Sequence, residues 1–105
     1  MTEPVPRLRR IAGLGELRAV SDGVRLAVLS ILFDHPQRSF SVRELAERTG
    51  IAPTLMHYHL SILDSEQLVE VVVERGTRGR RERRYQALYE ALRWDFPSGE
   101  QQAAP

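Results

Sequence analysis

Apolar residues recur at helical spacing through the first two thirds of the chain and at strand spacing after that. The first such run predicts a helix over residues 7–20, although Gly13 and Gly15 weaken it near its middle. The second run is apolar on most sides, which predicts a buried central helix. The apolar positions of the first run are Leu8, Ile11, Leu14 (or Ala12), Leu17 and Val20, and the second spans residues 24–33.

Polar residues and prolines mark where the central helix begins and ends. Ser21 or Asp22 can cap its first turn, because their side-chain oxygens accept hydrogen bonds from amides that lack a helical partner. His35 and Pro36 end it, since the residue before a proline is biased away from helical geometry. Residues 38–40 then predict a short extended segment.

Two further helices follow, joined by a tight turn. Ser41 and Glu44 have the spacing of a capping box, and Gly50 suits the left-handed conformation that ends a helix. Pro53 fits the first position of the next helix, over residues 53–65, where an amide is not needed. A helix of 13 residues is about 20 Å long, enough to cross the major groove of DNA. Its inward residues are Met56, Leu60 and Leu63, with His59 beside them, and its outward residues are Thr54, His57, Tyr58, Ser61 and Asp64.

The last third of the chain predicts two strands and a loop. Valines at 69, 71 and 73 alternate with Glu70, Val72 and Glu74, a pattern typical of a half-buried strand. Gly76 and Gly79 make the loop, and residues 85–88 return from it. Leu88, Leu92 and Phe96 then predict a short final helix that Pro97 stops.

In this order the elements predict a mainly α fold with a small antiparallel β-wing, a winged helix-turn-helix. We expect one domain over residues 7–96, with helices at both ends, and flexible tails at residues 1–6 and 97–105.

Charge is nearly balanced over the whole chain but is strongly positive in one segment. The net charge of the 105 residues is +1, yet residues 75–84 hold six arginines against one glutamate. Such a run can be a solvated hairpin tip or a surface for phosphates. All basic side chains other than histidine are arginine, which favours forked contacts to phosphate or guanine but can also reflect a GC-rich genome.

Cysteine is absent, which removes disulfides, thiolate metal sites and thiol redox sensing. No apolar run reaches the length of a membrane span, and the N-terminus lacks the apolar stretch of a signal peptide. We therefore expect a cytoplasmic protein without membrane contact.

The residues resemble a known family, the winged-helix repressors of the ArsR type. The similarity covers residues 17–92 and is carried by SDGVRLAVL, ELAERTGIA, the His59-Leu60 pair ahead of Leu63, and the wing exit at Arg84-Tyr85. It implies a homodimeric repressor that binds a pseudo-palindromic operator, with its outer helices at the dimer interface.

The same resemblance argues against metal sensing. The thiolate pair of the family's arsenic and cadmium sensors would fall near Ser41 and Arg43, which are not such ligands. At the positions of the family's other metal site, on the final helix, this chain has Glu90 and Asp95 but no histidine. His57 and His59 lie two apart and point to different sides of a helix, so we expect no metal and no cofactor. We interpret His59 as a hydrogen-bonded packing residue.

The candidate DNA-binding residues lie on the predicted helix over residues 53–65, on the wing, and on the helix that Ser41 caps. Hydroxyls and imidazoles can bond phosphates or base edges, and wing arginines can neutralise phosphates or enter the minor groove. The alternatives are a solvated helix face and, for Arg83 or Arg84, a structural salt bridge. Arg43 can touch the backbone, although this helix also has a favourable Glu44–Arg48 pair. The candidates are Thr54, His57, Tyr58, Ser61, Arg78, Arg80, Arg81 and Arg43.

Apolar residues at the two ends of the chain either pack on their own domain or meet a second copy. A short chain with a small central core and apolar ends favours a twofold dimer. The candidate interface residues are Leu8, Ile11, Leu14, Leu17, Leu88, Leu92 and Phe96.

The leading hypothesis is thus a DNA-binding transcriptional regulator, most simply a repressor, whose effector is an unidentified small molecule or protein if one exists. The alternative is a winged-helix module that binds protein without specific DNA binding. The sequence shows no nucleophile–base pair, phosphate loop or paired acids, so we do not expect an enzyme.

Overall fold

A computed structural model describes residues 8–94. Within them, three central helices pack on a three-stranded antiparallel sheet of order β2-β4-β3, and a two-stranded parallel sheet joins the two ends. The elements are β1 (Leu8–Ile11), α1 (Leu14–Val20), α2 (Gly23–Asp34), β2 (Phe40–Ser41), α3 (Val42–Thr49), α4 (Pro53–Ser65), β3 (Val69–Arg75), a single 3₁₀ turn (Thr77–Gly79), β4 (Arg81–Ala87) and β5 (Ala91–Trp94).

Local signals in the sequence define the two helices that follow β2, as predicted. The Ser41 hydroxyl accepts from the Glu44 amide at 3.1 Å, and the Glu44 carboxylate accepts from the Ser41 amide at 2.8 Å. Gly50 ends α3 with φ of +76°, and Pro53 opens α4. Asp22 caps α2 by accepting from two backbone amides at 2.8 and 3.0 Å. The result is a helix-turn-helix whose turn spans residues 50–52.

The core lies between α2, α3, α4 and the sheet. Leucines and aromatic residues with no more than 2% of their surface exposed fill it, and each contributes about 1.5–3 kcal/mol by leaving water. Its largest members, which also include one isoleucine and one methionine, are Ile11, Leu29, Leu32, Phe40, Leu45, Met56, Leu60, Leu63, Leu68 and Tyr85.

Strands β3 and β4 form the wing. Their register pairs Val69 with Ala87 at the base and Arg75 with Arg81 at the tip. Val69 is buried, Val71 is half-buried and Val73 is 51% exposed, so the predicted alternation holds at the base and fades as the hairpin leaves the core. The predicted extended segment, residues 38–40, overlaps the observed strand β2 only at Phe40, which pairs with Tyr85.

The prediction of a continuous first helix is wrong. Leu8 and Ile11 lie on strand β1, and α1 begins only at Leu14, after Gly13 in an extended conformation. A longer helix would contain two interior glycines, each unfavourable by about 1 kcal/mol relative to alanine. The strand instead pairs in parallel with β5, from Leu8 opposite Ala91 onward.

The predicted final helix is also wrong, because residues 91–94 form strand β5. Leu88 precedes the strand and Leu92 lies within it, whereas Phe96 and both predicted tails fall outside the described residues. Arg9 of β1 connects this strand to residues next to β5 and β3 and to a residue of α1. Its guanidinium donates to the Tyr89 hydroxyl at 3.2 Å and to the Gln67 carbonyl at 2.6 Å, and it pairs with Glu16.

Between residues 8 and 94, no helix has the length and apolar character needed to cross a membrane.

Candidate nucleic-acid interface

The outer face of α4 presents the polar side chains that the sequence placed there. All four candidates on this helix, Thr54, His57, Tyr58 and Ser61, are exposed, while Met56, Leu60 and Leu63 are buried. The Ser61 hydroxyl donates to the Tyr58 carbonyl at 2.8 Å within the helix. Leu55 is 46% exposed on the same helix, and we had not singled it out. The face can therefore offer hydroxyls, an imidazole and apolar contacts.

The wing tip is a tight loop whose arginine side chains are exposed to solvent. The Gly76 amide donates to the Arg80 carbonyl at 2.6 Å, and Arg78 and Gly79 both have positive φ, of 67° and 75°. The side chains of Arg78, Arg80 and Arg81 are exposed, and they form no hydrogen bond or ion pair with any described residue. Their charge is available to an external anion.

Arg43 lies beside the wing although it belongs to α3. An open cleft of about 410 Å³ separates the start of α3 from the wing tip, and we call it the α3–wing cleft. Residues lining it are Ser41, Arg43, Gly76, Arg80, Arg81 and Glu82. The fold thus brings Arg43 of α3 and two of the wing arginines, Arg80 and Arg81, to one cleft, whereas Arg78 does not line it.

Arg83 and Arg84 are adjacent in β4 and have different surroundings. Arg83 is exposed, with its guanidinium 3.6 Å from the Asp64 carboxylate. Arg84 contacts the carboxylates of Glu44 and Glu82 at 2.8 Å and of Glu74 at 3.6 Å. The expected structural salt bridge is therefore present at Arg84.

We call the group around Arg84 the Arg84 cluster. Besides the carboxylates, Arg84 donates to the Ser39 hydroxyl at 2.9 Å and to the Ser39 carbonyl at 3.0 Å. The Ser41 amide lowers the pKa of Glu44 most strongly and the charge of Arg84 lowers it further, while partial burial opposes both. The cluster ties the wing to β2 and to the first turn of α3. Its members are Arg84, Ser39, Glu44, Glu74 and Glu82.

His59 is a packing residue, as interpreted from the sequence. It is buried on the inner side of α4, and its Nδ1 lies 2.9 Å from the Arg25 guanidinium. Arg25 also donates to the Ala19 carbonyl at 2.6 Å, so this pair joins α1, α2 and α4. Across residues 8–94, no group of three His, Asp or Glu side chains is placed to hold a metal ion.

The candidate interface residues at the chain ends differ in exposure. Leu14 is 62% and Leu8 is 47% exposed, whereas Ile11 is fully buried in its own protomer and has no surface to offer a partner. Leu17, Leu88 and Leu92 are half-buried.

Comparison with known proteins identifies the helical part of this surface. Residues 20–72 match the family model described as a helix-turn-helix domain, which is half of the chain. The chain belongs to this helix-turn-helix family. The match includes α2, α3, α4 and the start of β3, so the wing tip lies beyond it.

Solved structures match a larger share of the chain than the family model does. This helix-turn-helix protein is 26% identical to NolR from Sinorhizobium fredii, with a TM-score of 0.55 over 70% of this chain and 65% of that one. It is 31% identical to the homodimeric winged helix-turn-helix DNA-binding domain of Mb0332 from Mycobacterium bovis, a possible ArsR-family transcriptional regulator, with a TM-score of 0.55 over 68% of this chain and 58% of that one.

An ArsR-like transcriptional regulator from Rhodococcus sp. RHA1 is 27% identical, with a TM-score of 0.56 over 85% of this chain and 66% of that one. This helix-turn-helix protein thus spans about two thirds or less of these three chains. None of the curated proteins matches it in sequence. The resemblance to ArsR-type regulators and the winged helix-turn-helix fold are confirmed.

Proposed function

We propose that this protein is a homodimeric transcriptional repressor that binds a pseudo-palindromic operator. Helix α4 enters the major groove, and the wing lies on the DNA backbone or in the minor groove. One observation carries the proposal: Arg43, Arg78, Arg80 and Arg81 are exposed beside a helix-turn-helix and have no counter-ion among the described residues. Charges without an internal partner suit an external polyanion.

Helix α4 would supply the sequence-reading contacts. Thr54 and Ser61 offer hydroxyls to phosphates or base edges, His57 offers an imidazole nitrogen, and Tyr58 offers a ring and a hydroxyl. The helix contains no Arg, Lys, Asn or Gln, the side chains best suited to bidentate base contacts. We therefore expect moderate specificity that depends in part on DNA shape.

The dimer would form through the exposed apolar surface at the chain ends. Leu14 and Leu8 are the most exposed of the described candidates, at 62% and 47%, whereas Ile11 is buried in its own protomer. The Mb0332 domain is homodimeric, which favours the same assembly here. A twofold dimer would place the two α4 helices about 34 Å apart, matching successive major grooves.

Repression would follow from steric occlusion of a promoter in the cytoplasm. An effector that binds one dimer geometry better than another would relieve it, because a ligand shifts an equilibrium only by its differential affinity. No catalytic step is part of this proposal.

The test is binding of the purified protein to its own upstream DNA, measured by fluorescence anisotropy across a salt series. We expect nanomolar affinity at one site. The variant Arg78→Ala/Arg80→Ala should bind more weakly, with a slope of log K against log salt shallower by about 1.8 per protomer, or about 3.6 for the proposed dimer. The control Arg18→Ala/Arg93→Ala removes the same charge from exposed positions on α1 and β5 and should retain the slope.

Two outcomes contradict the proposal. Equal losses in both double variants would show that only net charge matters. Binding no tighter than to unrelated DNA, at this site and in selection from random sequences, would favour the protein-interaction module. Light scattering of the same sample tests the dimer, and Leu14→Glu should shift it towards the monomer because it places a charge in the apolar surface.

A further inference from the structure

In two cross-strand pairs of the wing, the two residues that face each other carry the same charge. The β3–β4 register places Glu74 opposite Glu82 and, one step nearer the tip, Arg75 opposite Arg81. Like charges directly opposite each other destabilise an antiparallel pair. Each pair therefore needs a compensating charge.

The acidic pair is compensated within the protein. Arg84 lies 3.6 Å from the Glu74 carboxylate and 2.8 Å from that of Glu82. Its guanidinium thus cancels part of the repulsion between them, and it leaves the Glu82 side of the cleft less negative than the sequence implies.

The basic pair is not compensated by any described residue. Among residues 8–94, the Arg75 side chain donates only to the Gly79 carbonyl, at 3.4 Å, and the Arg81 side chain has neither a hydrogen bond nor an ion pair. Arg80 adds a further charge beside Arg81. The tip of the wing therefore carries a repulsion that a bound anion would relieve.

The α3–wing cleft is where such an anion can bind. Arg81 and Arg80 line it from the wing, and Arg43 lines it from α3. The one acidic residue in its lining, Glu82, is paired with Arg84. Three arginines from two separate elements thus line one open space.

We propose that the α3–wing cleft binds a single phosphate of the DNA backbone, held jointly by Arg43, Arg80 and Arg81. The proposal rests on the function proposed above and deepens it. Guanidinium groups bind phosphate oxygens through paired hydrogen bonds, so three of them hold one phosphate firmly. Because the ligands come from α3 and from the wing, the phosphate fixes the wing against the helix-turn-helix.

A double-mutant cycle on the full chain tests this. The variants are Arg43→Ala, Arg81→Ala and their combination, with Arg78→Ala as the matched control, since Arg78 lies at the wing tip but does not line the cleft. All of these side chains are exposed, so the variants should fold, which circular dichroism and thermal melting would verify.

If Arg43 and Arg81 hold one phosphate, losing either releases it. The double variant should then bind the operator about fivefold or more tighter than the product of the two single effects implies. Its salt slope should become shallower by about 0.9 per protomer, or about 1.8 for the proposed dimer, as for either single variant, because one phosphate per protomer is lost in each case. Arg43→Ala with Arg78→Ala should instead combine within about twofold, with a slope shallower by about 1.8 per protomer, or about 3.6 for the proposed dimer.

Each result decides between distinct claims. In one outcome, the unchanged protein binds DNA specifically while the effects of Arg43→Ala and Arg81→Ala on affinity combine as independently as those of the control pair. That result would contradict the shared phosphate and leave the proposed DNA-binding function intact. If the unchanged protein binds no DNA specifically, the proposed function fails and the phosphate site fails with it.

Discussion

Replacing Arg84 should destabilise the domain far more than replacing its neighbour Arg83. Both are arginines of β4, and both contact a carboxylate. Arg84→Gln removes three carboxylate contacts and two hydrogen bonds to Ser39, whereas Arg83→Gln removes one contact with Asp64 at 3.6 Å and one long hydrogen bond to the Tyr85 hydroxyl at 3.4 Å. The two variants change the same charge by the same chemistry and are a matched pair.

The expected magnitude follows from exposure. The Arg84 side chain is only 19% exposed, but its carboxylate partners are 37–53% exposed, so each pair is screened and contributes about 0.5 kcal/mol. The lost hydrogen bonds to Ser39 add roughly 0.5–1 kcal/mol. We therefore expect Arg84→Gln to lower the free energy of unfolding by about 2 kcal/mol, a fall in Tm of roughly 8–16 °C for a domain of this size.

The assay is thermal unfolding followed by circular dichroism, together with urea titration. Arg83→Gln should cost about 0.5 kcal/mol, because an exposed pair contributes little. Arg84→Lys should lie between the two, since it keeps the charge but loses the fork that reaches several partners at once. Equal losses in Arg83→Gln and Arg84→Gln would refute the role we assign to the Arg84 cluster.

Three further predictions concern the helix-turn-helix. Gly50→Ala should cost about 1 kcal/mol because Gly50 has φ of +76°, whereas Gly23→Ala, in open space at the start of α2, should cost nothing; equal Tm values would contradict this. Leu60→Ala should lower the free energy of unfolding by about 2–5 kcal/mol, and Leu55→Ala, on the exposed side of α4, by well under 1 kcal/mol. Urea titration measures both, and similar losses in the two variants would contradict the assignment of Leu60 to the buried face. The folded-state pKa of Glu44 lies below its ordinary value of 4.5, so its stabilising effect is present above that pH and lost as the pH falls through the folded pKa. Unfolding free energies of the unchanged protein and Glu44→Gln should therefore converge below about pH 4.5, and a constant gap from pH 7 to pH 3 would contradict the assignment.

The helix-turn-helix could be predicted from the sequence because its signals are local. Ser41 and Glu44 specify a helix start within four residues, Gly50 specifies its end, and Pro53 begins the next helix. Each of these residues acts on backbone groups within one turn of itself. No knowledge of the rest of the fold was required.

The chain ends could not be predicted in this way because their partners are remote. The spacing of Leu8 and Ile11 fits one face of a helix, and a four-residue strand is too short to show a competing period. What decides its conformation is pairing with β5, about 80 residues later. Gly13 and Gly15 are the local signal in the sequence that disfavours a continuous helix here.

The candidate site shows the same division. Alternation along a strand places Arg83 and Arg84 on opposite faces, but only the packed fold shows that Glu44 lies beside Arg84. Arg43 and Arg81 are likewise 38 residues apart, and their common cleft is a property of the tertiary structure.

The fold also changes what the basic run means for DNA binding. Of six arginines in residues 75–84, Arg84 is held by carboxylates and Arg83 lies beside Asp64, which leaves four, and Arg43 makes five. If each neutralised its own phosphate, these side chains would contribute a salt slope of about −4.5 per protomer. If Arg43, Arg80 and Arg81 share one phosphate, the five hold three, and the slope falls to about −2.7. The measured slope of the unchanged protein therefore reports on how its arginines are grouped, which their number in the sequence cannot reveal.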